Sequence, residues 1–387
     1  MEITESDRLK SLPPYLFAEI DEIIKKKKRE GIDVISLGIG DPDLATPACV
    51  VQKLYQGAQD PSNHRYPSSY GMPQFNEAVS DFYQSRFAVH IEQEQVIPLW
   101  GSKEGIANIA YTLINPGDYS LVPDPSYLVY KIGTMFAGGV AYEIPLKEEN
   151  GFLMDLDAID KDIARKAKLM YLNYPHNPTS AGASIDFFDQ VVAFAQKYNI
   201  VVCHDNAYSD IYAQTGEKPI SFLNADGALE VGIEFNSLSK TFNMTGWRIA
   251  YAVGNKQIVS SLGKYKTNVD SGVFNAVQVA AVEALQNYSK LVPKNNQVYN
   301  QRRKIAKNML DEMGISYFDS PYTIYVWSKV PAGFTSQSFA KMILDVADVV
   351  VTPGSAFGNS GEGYFRISLT IADQRLTEAL QRIKGVL

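Results

Sequence analysis

Ile200-Val201-Val202-Cys203-His204-Asp205-Asn206-Ala207-Tyr208 opens on an unbroken apolar run. Four apolar residues in a row predict a strand covered on both faces, as in a parallel sheet flanked by helices. The run passes without a break into polar residues, so Asp205 and Tyr208 stand at the strand's carboxyl end. In open α/β sheets that edge is where ligands sit.

The same texture repeats along the chain. Val96–Trp100, Tyr119–Val122, Val140–Ile144, Lys168–Asn173 and Val231–Phe235 read as further strands. Between them lie helical patterns over about 47–58, 103–113, Tyr127–Phe136 and Asp186–Tyr198, and another with Phe75, Val79, Phe82 and Tyr83 on one face. Strands alternating with helices predict an α/β domain with a mainly parallel sheet. Val34–Leu37 is a short strand ending in the glycine-rich turn Gly38-Ile39-Gly40-Asp41-Pro42-Asp43. From about residue 256 helical patterns dominate, including a long one over about 292–313. Short strands at Thr323–Trp327, Val349–Val351 and Tyr364–Leu369 are interleaved with helices near 335–346 and 372–386, which predicts a smaller α+β domain.

The chain is long enough, at 387 residues, for more than one domain, and its 45% apolar and 20% charged residues are those of a globular protein. A net charge of -7 leaves no basic footprint for nucleic acid. The run Lys25-Lys26-Lys27-Lys28-Arg29 continues the apolar periodicity of Leu16, Phe17, Ile20, Ile23 and Ile24, so it reads as the solvated end of an amphipathic helix. Cys49 and Cys203 make no disulfide framework or zinc pattern, and no apolar leader or long apolar run is present. The expectation is a cytoplasmic protein that binds neither membrane nor metal.

Chemistry concentrates in Ser237-Leu238-Ser239-Lys240-Thr241-Phe242-Asn243-Met244-Thr245-Gly246-Trp247-Arg248. A lysine at the end of an apolar strand loses its proton more readily and can act as an amine nucleophile or base. Ser237, Ser239 and Arg248 are polar groups suited to an anion, most simply a phosphate. Taken alone, the segment fits equally well a structural lysine followed by a surface arginine. Gly101-Ser102-Lys103, a small-residue turn before a helix, is a second place for an anion, because free N–H groups point out of a helix start. Asn177, Asp205, Tyr208 and Lys240 all fall at strand ends, and this convergence favours a site. Arg366, between apolar strand residues, either pairs with an internal acid or clamps a carboxylate.

Ser-Leu-Ser-Lys followed by Gly-Trp-Arg, with Asn177-Pro178-Thr179 upstream and His204 to Tyr208 between, resembles the fold-type I aminotransferases that use pyridoxal phosphate. The resemblance covers nearly the whole chain. It implies residues 1–45 as an arm and part of a small domain, 46–285 as the large cofactor-binding domain, and 286–387 as the rest of the small domain. It implies Lys240 as the Schiff-base lysine and proton shuttle, Asp205 as partner of the ring nitrogen, Tyr208 and Asn177 at the ring oxygen, and Tyr127 stacked on the ring. Gly101, Ser102, Lys103, Ser237, Ser239 and Arg248 would surround the phosphate, with Tyr66 reaching in from a second subunit of a homodimer. Arg366 would grip the substrate carboxylate, helped by backbone at Ile39 and Gly40, with Asn177 and Tyr15 also on the substrate.

Within that family the chain is most similar to the LL-diaminopimelate aminotransferases, on stretches such as Ser36–Asp43, Gly101–Ile106 and Gly361–Arg366. This implies transfer of an amino group from LL-diaminopimelate to 2-oxoglutarate, in lysine biosynthesis. Two departures stand out. Ser180 replaces the usual glycine after Asn-Pro-Thr, a change expected to touch only the turn. Ser68-Ser69-Tyr70-Gly71 lacks the acidic residue expected where a second amino-acid head group would bind. Aspartate, alanine and aromatic aminotransferases and pyridoxal-phosphate lyases use the same cofactor residues. A nicotinamide-dependent dehydrogenase is disfavoured because Asp41-Pro42 follows Gly38-Ile39-Gly40 and spoils a GxGxxG turn. A non-catalytic binding protein on this fold is likewise disfavoured.

Overall fold

The computed structural model describes residues 1, 3–12, 17–213 and 217–387, with the side chains of residues 17–21 left out. Twelve strands are present among them: β1 (Ile35–Ser36), β2 (Val96–Leu99), β3 (Tyr119–Asp124), β4 (Val140–Pro145), β5 (Ala167–Leu172), β6 (Val201–Asp205), β7 (Gly232–Ser237), β8 (Ala250–Gly254), β9 (Tyr325–Lys329), β10 (Val349–Val350), β11 (Thr352–Pro353) and β12 (Tyr364–Ser368). Seven form one sheet in the order β2-β8-β7-β6-β5-β3-β4. All run parallel except β8, which is antiparallel to both β2 and β7.

The reason for a buried parallel sheet is legible in its middle. Every residue of β7 and β8 is buried, as is β6 after Val201. Apolar side chains must therefore cover both faces. One face packs Phe75, Tyr83, Phe188, Phe222 and Trp327; the other packs Ile97, Ile106, Leu169, Tyr171 and Phe235. Because β3, β5, β6 and β7 are parallel, their carboxyl ends share one edge, and the segments that follow them meet there.

β12 pairs antiparallel with both β9 and β11, while β1 pairs parallel with β10. Ile35 and Leu37 share a core with Tyr299, Ile324, Phe339, Ile367 and Leu380. The segment after β1 is thereby tied to the C-terminal elements. The long helix starts earlier than its sequence pattern suggests, spanning Tyr288–Glu312 with Pro293 inside. That proline lies in the second turn and costs one backbone bond, to the first turn.

Ser180 does more than alter a turn. It adopts a left-handed φ of +66°, the conformation a glycine would take freely. Its hydroxyl lies 2.6 Å from Thr323 Oγ1 and donates to the Tyr325 carbonyl at 3.1 Å. The side chain thus ties the loop after β5 to the entry of β9.

Candidate active site

Asp205 closes β6. Its Oδ2 accepts from the Tyr130 hydroxyl at 2.8 Å, while its Oδ1 is buried with no hydrogen-bond partner among the described residues. Burial pushes the carboxyl up to about 6; the Tyr130 hydroxyl, nearby His204 and the Ala207 N–H pull the other way. The Asp205 carbonyl is fixed separately, accepting from Asn173 Nδ2 at 2.6 Å. Asn173 also orders the next loop, its Oδ1 accepting from Asn177 N at 2.8 Å.

Lys240 follows β7 in a short helix, Leu238–Thr241, that starts where the Ser237 hydroxyl accepts from Ser239 N at 3.2 Å. The half-buried Lys240 amine donates to the Gly40 carbonyl at 2.5 Å. Desolvation lowers its pKa; Tyr325 and Asp41 oppose that shift, and the charges of Arg366 and Arg248 add to it. The amine is therefore easier to deprotonate than an exposed lysine.

Arg366 lies on β12 and is buried. Nη1 donates to Asn177 Oδ1 and Nη2 to the Gly38 carbonyl, each at 2.7 Å. Its guanidinium carbon sits 4.0 Å from the Tyr325 ring centroid and 4.7 Å from that of Phe357. Held between two rings, the guanidinium keeps its plane. Its Nε is buried without a partner among the described residues. The Tyr208 hydroxyl lies 3.0 Å from that of Tyr325. A β-carbon on Gly40 would fall 2.0 Å from the Tyr325 hydroxyl, so only glycine lets the β1 turn approach this ring.

Gly101 precedes the helix Ser102–Leu113. Arg248 takes a left-handed φ of +53° and donates from Nη1 to the Thr245 carbonyl at 2.7 Å. Its Nη2 lies 3.4 Å from the Trp100 carbonyl and 2.1 Å from where a Gly101 β-carbon would stand. The start of this helix and the exposed Arg248 guanidinium thus stand together, a pairing suited to an anion. Gly101 has φ +86° and ψ 151°, a region for glycine alone. Gly101→Ala is expected to cost about 1–3 kcal/mol in urea unfolding and to displace Arg248.

Contacts chain these groups together: Arg366 meets Asn177 and the Tyr325 ring, Tyr325 meets Tyr208, Lys240 reaches the Gly40 carbonyl, and Tyr127 packs edge-on against Tyr130, which holds Asp205. Burial raises the Tyr127 hydroxyl's pKa, and Asp205 is the next contributor. Gly101 lies against Arg248, Ser237 and Ser239 are buried at the end of β7, and Lys103 is exposed at the helix start. Ile39 is exposed, and its carbonyl accepts from Thr370 Oγ1 at 2.9 Å. Tyr66 is 90% exposed and meets none of these groups within the chain. Tyr15 lies outside the described residues. Sequence reasoning missed Tyr130, Asn173, Tyr325 and Phe357. Only Asn173, at the end of a strand already read, carried a signal that could have flagged it.

Known proteins share this arrangement of chain. The profile described as aminotransferase class I and II matches residues 32–383. An LL-diaminopimelate aminotransferase from Aquifex aeolicus is 53% identical over 98% of both chains, and one from Moorella thermoacetica is 50% identical over 99% of this chain and 98% of its own. Among solved structures, substrate-bound BacF from Bacillus subtilis superposes with a TM-score of 0.94 at 40% identity, covering 100% of this chain and 98% of its own. A Thermus thermophilus aspartate aminotransferase gives 0.92 at 25% identity, covering 100% of both chains. The chain belongs to the class I and II aminotransferases and is an enzyme of amino-group transfer.

Proposed function

We propose that the enzyme uses pyridoxal 5'-phosphate to move an amino group from LL-diaminopimelate to 2-oxoglutarate. The unpartnered Asp205 Oδ1 carries this reading: a buried carboxylate oxygen without a donor suits a protonated ring nitrogen. The rest of the site fits as well. Lys240 offers an amine of lowered basicity, and the Gly101–Arg248 cradle offers donors for a phosphate.

Bound there, pyridoxal phosphate supplies an aldehyde for the lysine and a ring that accepts electrons. Every other task falls to side chains. Arg366 Nη1 and Nη2 receive the substrate α-carboxylate, with Asn177 beside them. The Lys240 amine takes the α-proton and returns it. Asp205 Oδ1, anionic at neutral pH, keeps a proton on the facing nitrogen. Tyr208 and Asn177 address the ring oxygen, and Tyr127 covers the ring face.

Residues 46–285 are read as the cofactor domain, and 1–45 with 286–387 as the small one. Tyr66, exposed here, is read as completing the site of a second subunit in a homodimer. Two cysteines, both free thiols, suit the cytoplasm. No helix among the described residues is long and apolar enough to cross a membrane.

The relatives at about half identity favour LL-diaminopimelate as donor. A second reading rests on the loop Ser68–Gly71, which carries no acidic residue for a second amino-acid head group. On that reading the donor is aspartate, alanine or an aromatic amino acid. A panel of LL-diaminopimelate, aspartate, alanine and phenylalanine with 2-oxoglutarate decides between them. Glutamate from LL-diaminopimelate at the highest kcat/KM is the expected result; none from it would defeat the first choice.

Asp205 also makes a stability prediction for the cofactor-free protein. Its pKa is raised in the folded state, so its contribution is fully present below the ordinary aspartate range and lost as pH rises through about 6. Urea unfolding at pH 5 and pH 7 should show this loss in the wild type and not in Asp205→Asn, a difference of about 1 kcal/mol.

A further inference from the structure

Glu234 lies in the middle of β7, fully buried, and the chemistry above gives it no task. Its carboxylate is crowded with donors. Oε1 accepts from the Tyr83 hydroxyl at 2.6 Å and from Asn206 Nδ2 at 2.9 Å. Oε2 accepts from Phe222 N at 3.0 Å and faces His204 Nδ1 at 2.7 Å. The Ser221 hydroxyl lies 2.9 Å from both oxygens. Burial alone would push this carboxyl up; the hydrogen bonds, that of His204 first among them, bring it below the usual glutamate range. A buried charge is a costly way to fill space, and a well-packed apolar residue commonly serves stability as well or better.

Two of the donors point to a use. His204 and Asn206 are the residues on either side of Asp205. His204 pairs in register with Glu234 across the parallel strands, on the sheet face opposite Asp205. Its second ring nitrogen lies 3.0 Å from the Tyr174 carbonyl, beside the loop whose Asn173 holds the Asp205 carbonyl. Asn206 N donates to the Phe235 carbonyl at 2.8 Å. The chain is thus gripped before, at and after Asp205. Among the described residues the Asp205 carboxylate is held by the Tyr130 hydroxyl at Oδ2 and influenced by the Ala207 N–H, so the aim of Oδ1 depends on where the backbone stands.

We propose that Glu234 is the positioning residue of this site: by gripping His204 and Asn206 together, it fixes the direction in which Asp205 presents Oδ1 to the cofactor ring. This rests on the role given to Asp205 above. A displacement of about 1 Å at such a group can cost roughly 100-fold in rate.

The test compares Glu234→Gln with Tyr83→Phe. The second removes a donor from the same carboxylate without touching either neighbour of Asp205. The dissociation constant for pyridoxal phosphate is read from quenching of protein fluorescence, and kcat and KM from transamination. Glu234→Gln should weaken cofactor binding about tenfold and lower kcat about 100-fold. KM for the donor should stay within about threefold, because Arg366 and Asn177 are untouched. Tyr83→Phe should lose stability while both readouts stay within about threefold. The proposal is overturned if Glu234→Gln leaves both readouts unchanged, or if Tyr83→Phe matches its losses. Should Glu234→Gln not fold, Asn206→Ala carries the test, with the same losses at smaller size expected and unchanged values contradicting. A wild type that binds no pyridoxal phosphate would overturn the cofactor reading itself, before any variant is made.

Discussion

Lys240→Ala abolishes turnover, with a fall in kcat of at least about 10⁴-fold, because one residue supplies both the covalent anchor and the proton-transfer base. The loss should not come from unfolding. The side chain contributes one hydrogen bond, to the Gly40 carbonyl, and its charge sits in a partly desolvated site beside Arg366 and Arg248. Removing it should leave the thermal midpoint of the cofactor-free protein unchanged or slightly raised. Activity and melting measured on one preparation separate the two effects. Turnover within about tenfold of wild type would end the assignment of Lys240.

Arg366→Ala lowers kcat/KM for the amino donor by roughly 10³-fold, about 4 kcal/mol, the scale of two charge-assisted hydrogen bonds to a carboxylate. Its two Nη atoms now contact Asn177 Oδ1 and the Gly38 carbonyl. Both are neutral acceptors, which a carboxylate can displace. Most of the loss should appear in KM, because the carboxylate is held from binding through reaction. Arg366→Lys should recover little. A lysine cannot present two parallel donors, nor stack between Tyr325 and Phe357. Equal loss of affinity for pyridoxal phosphate would place Arg366 on the cofactor instead of the substrate.

The sequence made the sheet readable where strands are fully buried. An apolar run that ends abruptly in polar residues marks a strand and its end, and Asp205 and Lys240 stand where that reading puts them. β8 escaped because Ala250, Ala252 and Gly254 are small and the run is short, directly after a turn. Glu234 was read inside its strand, but one charge among apolar residues has no evident task until its donors are seen. Contacts between distant segments carry no sequence signal at all. Arg366 meets Asn177 across 189 positions, and the Tyr130 hydroxyl reaches Asp205 across 75. The hydroxyl of Ser180 likewise reaches Thr323, which no turn rule anticipates.

Under the proposed function, Lys240 anchors the cofactor covalently. Purified protein saturated with pyridoxal phosphate should show a visible absorption band that borohydride abolishes. Peptide mapping of the reduced protein should then find the pyridoxyl group on Lys240 alone. A label on another lysine, or a band that survives borohydride, would contradict it.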